Sequence, residues 1–173
     1  MSYLVVSSLA DLHATVASHG AADVVTLINA DTVVERPSSI APERHLFLGM
    51  NDIAAPAEGL THPAAHHLDR LLEFGRLWNR EKPLAVHCWA GISRSTAAAY
   101  ILAIAINPEL DEAALARELR RRAPSATPNP LLVALADDKL GRGGRMVRAI
   151  ADIGRGADAF SGTPFILPLT LER

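Results

Sequence analysis

Cysteine is almost missing from this sequence, with Cys88 the single one among 173 residues. An intramolecular disulfide is thereby excluded, and the simplest compartment for the chain is a reducing cytoplasm. Long runs of one charge are missing too: 17 Lys and Arg nearly balance 19 Asp and Glu, for a formal net charge of −2. That balance exerts no global pull on nucleic acid or on an anionic membrane, so any attraction for an anionic ligand has to be local. The longest mostly apolar stretch, residues 97–106, is far too short to span a bilayer. Residues 1–9 place no basic segment ahead of an apolar one and do not read as a signal peptide. No internal repeat or low-complexity linker divides the chain. The expectation is one cytoplasmic domain with no membrane or nucleic-acid partner, its oligomeric state left open.

Material for a core is plentiful, since 49% of the residues are hydrophobic and only 21% are charged. Residues 3–6, 24–28 and 45–48 are apolar, largely β-branched or aromatic, and bounded by turn residues, which predicts three short strands. A short helix over 11–17 fits between the first two. The period then changes. Pro63 suits a first helical position after Thr61 or His62 as cap, and Leu68, Leu71, Leu72 and Trp78 recur at helical spacing through Arg80. Pro83 ends that run, and residues 84–87 follow as a strand. From Ser95 the chain is apolar on nearly all sides, as in a helix buried at the centre of a domain. Three more helices are predicted, over about 111–122, from the Asn129-Pro130 cap to before Gly141, and over about 144–153. The fold class is α/β, a central sheet flanked by helices. Residues 1–155 form the expected domain and 156–173 a tail, packed on the domain or at a contact with a second copy.

The chemistry concentrates between the strand at 84–87 and the buried helix. His87-Cys-Trp-Ala-Gly-Ile-Ser-Arg-Ser95 turns from a strand into a helix N-terminus, so its backbone N–H groups point inward around an anion. Gly91 permits the conformation such a loop demands. Arg94 offers a planar, permanently charged fork for two phosphate oxygens. A helix N-terminus and a nearby arginine favour a thiolate over a thiol, which makes Cys88 a candidate nucleophile. Cysteine and arginine alone at this spacing are weak evidence, because a lone cysteine at a strand end is usually a small buried hydrophobe.

The whole string carries more. It resembles the signature of the cysteine-based protein tyrosine phosphatases, in particular their dual-specificity-like branch. Residues 48–52, Leu-Gly-Met-Asn-Asp, resemble that branch's general-acid region, and residues 120–140, with Pro128-Asn129 before an apolar helix, the segment whose asparagine braces the phosphate loop. The resemblance spans about 45–140 and implies a phosphatase loop between a strand and a buried helix. It implies Cys88 as nucleophile, Arg94 as phosphate clamp and substrate-binding N–H groups from Trp89, Ala90, Gly91, Ile92 and Ser93. Ser95 would assist thiolate departure, Asp52 would be the general acid, and His87 and Asn129 would support the loop. The implied substrates are phosphorylated proteins or small phosphate monoesters, with no cofactor and no metal. Glu58, in the same loop, rivals Asp52 as the acid.

Other signals weigh less. His62 and His66 lie four apart near His67 and Asp69, yet helical histidines without further ligands are more often surface residues. Arg117, Arg120, Arg121 and Arg122 alternate with Glu112 and Glu118, as on a solvated helix face. Trp89 either shapes the pocket mouth or packs behind it. A rhodanese-type sulfurtransferase also uses a cysteine in an N–H-lined loop, but needs neither Ser93-Arg94-Ser95 nor an acid at Asp52. A non-catalytic phospho-binding domain is the remaining alternative, and an intact Cys88, Arg94 and Asp52 speak against it.

Overall fold

The computed structural model describes residues 2–172. The short apolar segments of the sequence become four parallel strands, β1 (Leu4–Ser7), β2 (Asp23–Ile28), β3 (His45–Gly49) and β4 (Leu84–His87). A short fifth strand, β5 (Phe165–Leu167), closes the edge antiparallel to β1, giving the order β3-β2-β4-β1-β5. Alternate residues of each parallel strand face opposite layers. Leu4 and Val6, Val25 and Leu27, and Leu84 and Val86 join the main core, whereas Val5, Val24 and Ala85 join a smaller one. The smaller core is closed by α1 (Leu12–His19), through Leu12 and Val16. All other helices, α2 (Ala65–Leu77), α3 (Arg94–Ile106), α4 (Glu112–Arg122), α5 (Pro130–Lys139) and α6 (Arg145–Ile153), contribute side chains to the main core. Both faces are therefore covered, as parallel sheets require.

Helix α3 is the axle of this arrangement. Residues 94–104 are all buried, and Gly75 of α2 lies so close that an added Cβ would come within 2.6 Å of Leu102. No helix among the described residues is long and apolar enough to cross a membrane.

Three sequence expectations change in detail. Helix α2 begins at Ala65, with Ala64 as its cap, so Pro63 lies outside it. The cap N–H of Ala64 donates to His67 Nδ1 at 3.0 Å, and that ring's Nε2 lies 3.0 Å from the Gly49 carbonyl, so both nitrogens of His67 are engaged. Asp69 meets Lys139 on the surface. The arginine cluster is not uniformly solvated. Arg120 donates to the carbonyls of Ala126, Ile153 and Gly154, tying the end of α6 to the loop after α4, and Arg122 reaches the Ile166 carbonyl of β5. The tail accordingly runs back across the molecule to the sheet edge.

Because four strands run parallel, their C-terminal ends lie along one edge of the sheet, the usual place for a ligand in an α/β fold. Ser7, Ile28, Gly49 and His87 end there.

Candidate active site

The loop between β4 and α3 is defined by where its carbonyls go. Trp89 O accepts from Leu9 N (3.1 Å), Ala90 O from Gly162 N (2.7 Å), Ile92 O from Thr127 N (2.9 Å) and Ser93 O from Asn129 N (3.2 Å). With these acceptors held by surrounding segments, the loop's own N–H groups are left for its interior. Gly91 N donates to Cys88 Sγ at 3.3 Å. Gly91 has φ +70°, and an added Cβ would come within 2.8 Å of the Ser7–Ser8 backbone, so both conformation and space require glycine. Gly162 is similarly constrained, its Cα facing the Gly91 carbonyl with no room for a side chain.

Cys88 is 2% exposed, at the floor of the loop, with Ser95 Oγ 3.1 Å from its sulfur. When the sulfur is a thiolate, the hydroxyl is the donor of that bond. Arg94 is 7% exposed. Its Nη1 donates to Asn29 Oδ1 and to Met50 O, each at 2.8 Å, which locks one corner of the guanidinium. Its Nε is buried without a hydrogen-bond partner. A buried N–H left unpaired on a charged group is unfavourable unless a ligand completes it. An oxyanion within the loop would do so, at the edge of the fork away from Asn29 and Met50.

Asp52 follows β3 at the open end of the site. Its Oδ1 accepts from Ser93 Oγ (2.7 Å) and from Asn129 Nδ2 (2.9 Å). Asn129 also donates to Ile53 O and, through Oδ1, caps α5 at Leu132 N, so its side chain holds the Asp52 loop while its main chain holds the loop between β4 and α3. Asn51 and Thr61 pair through two bonds of 2.7 and 2.9 Å, pinching off residues 52–60 as a closed excursion. Glu58 lies on that excursion and is exposed, and no hydrogen bond among the described residues joins it to the phosphate loop. Trp89 is 58% exposed, at the mouth rather than behind the loop.

His87 is buried beneath the loop. Its Nδ1 lies 3.1 Å from Cys88 O, a pure acceptor, so Nδ1 carries the proton. Burial pushes its pKa down to about 4, so the ring is neutral and Nε2 accepts. The Thr26 hydroxyl, 2.6 Å away, gives Nε2 its only proton, and His45 Nε2, 2.7 Å from the same oxygen, is then the donor to Thr26. One directed chain thus runs from His45 through Thr26 and His87 to the Cys88 carbonyl. Its sign with pH follows from linkage. An unfolded histidine binds a proton below about 6.5 while folded His87 refuses one down to about 4, so stability should fall across that window as pH is lowered. His87 alone accounts for about 3 kcal/mol. His45 and His67, also held below their ordinary value by burial, add in the same direction. Glu118, drawn down to about 2 chiefly by its hydrogen bond from Arg121, acts in the same direction but only from the acid end of this window downward. Urea midpoints measured at successive pH values should drop between 6.5 and 4, and a flat profile there would show that His87 is not a neutral buried ring.

No protein-family model matches this sequence, and no curated protein matches it. Solved structures do. The Cydia pomonella PTP-2 phosphatase aligns at a TM-score of 0.63 and 23% identity, over 80% of this chain and 86% of that one. Human DUSP28 aligns at 0.60 and 17% identity, over 87% and 95%. The human tyrosine phosphatase-like serine/threonine/tyrosine-interacting protein aligns at 0.62 and 19%, over 81% and 92%. The chain has the fold of the dual-specificity and tyrosine phosphatases. The sequence resemblance over 45–140 and the backbone therefore agree on the fold. A scaffold that serves both enzymes and a protein described as interacting does not choose between turnover and binding, so that choice rests on the side chains.

Sequence reasoning missed four contributors to the site. Asn29 and the Met50 carbonyl fix Arg94, Thr26 fixes His87, and Gly162 anchors the loop from the far end of the chain. Asn29, directly after β2, carried a readable signal, since polar residues past the ends of parallel strands line such sites. Thr26 within β2 and Gly162 in the tail carried none.

Proposed function

We propose that this chain is a cysteine-dependent protein phosphatase that hydrolyses phosphotyrosine through a phosphocysteine intermediate. The observation that carries the reading is the Arg94 guanidinium, pinned at Nη1 with its buried Nε unpaired beside a loop whose carbonyls all face away. Such a cradle suits three phosphoryl oxygens.

In the first step Cys88 Sγ attacks phosphorus, the P–S bond forms, and the P–O bond to the substrate breaks. Asp52 protonates the departing oxygen. Two donors already occupy its Oδ1, so the transferable proton sits on Oδ2. In the second step the Asp52 carboxylate takes a proton from water as the water oxygen attacks phosphorus. The sulfur leaves as a thiolate, received by Ser95 Oγ–H and Gly91 N–H. Inorganic phosphate is the product, and the enzyme returns to its starting state without a cofactor.

Hydrolysis of p-nitrophenyl phosphate and of phosphotyrosyl peptides, inhibited by vanadate and indifferent to EDTA, is the direct test. Thiosulfate-to-cyanide transfer dependent on Cys88, without phosphatase activity, would replace this reading by the sulfurtransferase one. The acid is tested separately. Asp52→Ala should lower kcat by roughly a hundred-fold or more, the usual contribution of acid–base help. It should also erase one limb of the pH–rate profile and matter least for leaving groups of low pKa. Glu58→Ala should do none of this, and the reverse pattern would transfer the role to Glu58.

A further inference from the structure

Two cavities meet beside the phosphate loop. One, of about 570 Å³, has Asp52 and Ser93 on one wall and Arg155, Asp158 and Phe160 on the other. The second, of about 330 Å³, lies between α5 and α6 and is walled by Pro130, Val133, Val147, Ile150 and Ala151. Thr127 and Arg155 line both, so the two are neighbours across these side chains. The junction is fixed to the catalytic loop, because Thr127 N holds Ile92 O and Thr127 Oγ1 accepts from Gly156 N at 3.1 Å. Apolar side chains remain uncovered along the same face, with Val147 41% and Phe160 93% exposed.

Resting on the phosphatase reading, we propose that this pair of cavities is a substrate groove for a phosphorylated polypeptide. The phosphotyrosine enters the loop beside Phe160, and an apolar side chain of the same peptide fills the space between α5 and α6. The second cavity falls at the small end of ligand pockets, roughly 300–1,000 Å³, which suits one aliphatic or aromatic side chain. Between α5 and α6 its walls are hydrophobic, and its polar side chains, Thr127 and Arg155, stand at the end shared with the first cavity. A small monoester held in the loop leaves it empty, whereas an extended chain passes over Arg155 and reaches it. Among the described residues Arg155 pairs only with Asp158, across a surface bridge of 2.7 Å with both side chains largely exposed. Such pairs are weak, so the guanidinium is available to the peptide backbone or to an acidic neighbour.

The test uses binding, so that it does not depend on turnover. Fluorescent phosphotyrosyl peptides are titrated onto the full-length Cys88→Ser protein, with leucine or serine placed one position at a time across the four residues either side of the phosphotyrosine. Leucine at one or two positions should tighten binding at least ten-fold over serine. Val147→Asp/Ala151→Asp, both on the exposed face of α6, should reduce that preference to about one while the serine peptides bind as before. Equal affinity for leucine and serine at every position would overturn the groove, as would a preference that survives the double variant. A monomer–dimer equilibrium abolished by the double variant, with no leucine preference, would assign the face to a second copy instead. Peptide binding with the leucine preference but no p-nitrophenyl phosphate turnover by the unsubstituted chain would retain the groove and overturn only the catalytic reading.

Discussion

Cys88→Ser is expected to reduce phosphatase turnover to background, a loss of about a million-fold by analogy with removal of other covalent nucleophiles. The substitution exchanges one atom at a site that is 2% exposed, and the hydroxyl still finds Gly91 N and Ser95 Oγ as partners. Fold and anion cradle should therefore survive. What is lost is the nucleophile's ionisation, since a serine hydroxyl stays protonated at neutral pH and this loop supplies no base in hydrogen-bond contact with it except the neutral Ser95. Vanadate affinity measured by calorimetry should change by less than a few-fold while steady-state hydrolysis vanishes. Residual turnover above about a thousandth of the original would rule out the covalent route.

Arg94→Lys should lower kcat/KM on the order of a thousand-fold, although it keeps the charge. An ammonium cannot hold Asn29 Oδ1 and Met50 O with one corner and two phosphoryl oxygens with another. If it turns to the phosphate, those two acceptors lose their partner, and if it turns to them, the phosphate loses its clamp. Loss in both KM for p-nitrophenyl phosphate and kcat is the expected signature, because the fork grips the ground state and the transition state alike. Kinetics within ten-fold of the starting protein would place Arg94 outside the reaction.

The parts of this molecule that were legible in its sequence are those in which chemistry and local structure coincide. Strands β1 to β4 declared themselves by short apolar runs, and α3 by an unbroken apolar stretch from Ala97 onward. The turn from β4 into α3 could be read because cysteine, glycine and arginine each have a local reason to be there. The start of α2 was misplaced because proline was credited as a helix opener, when His67 folds back onto the Ala64 N–H and sets the cap two residues beyond His62. Tertiary hydrogen bonding overrode a sound local preference. The function of Arg120 was hidden for a related reason. Its three carbonyl partners lie at Ala126, Ile153 and Gly154, and no helical periodicity reports contacts so distant in sequence. Strand β5 is short, contains no pattern of its own, and exists because β1 offers it an open edge.

The hydrogen bond from Gly162 to Ala90, and the strand that follows it, also bear on when the site comes into being. The loop's remaining supports come from Leu9 near the start of the chain and from Thr127 and Asn129 well past its middle. Closing such wide loops of chain carries an entropic cost that local structure does not offset, and contacts of this kind form late in folding. During synthesis, β4 and α3 emerge and can pair with β1 and β2 long before residue 162 is made. Cys88 is then present on a loop whose Ala90, Ile92 and Ser93 carbonyls still lack the partners Gly162, Thr127 and Asn129, beside an open sheet edge. The enclosure of Cys88 by its loop is thus assembled from segments more than 150 residues apart, Leu9 at one end and Gly162 at the other.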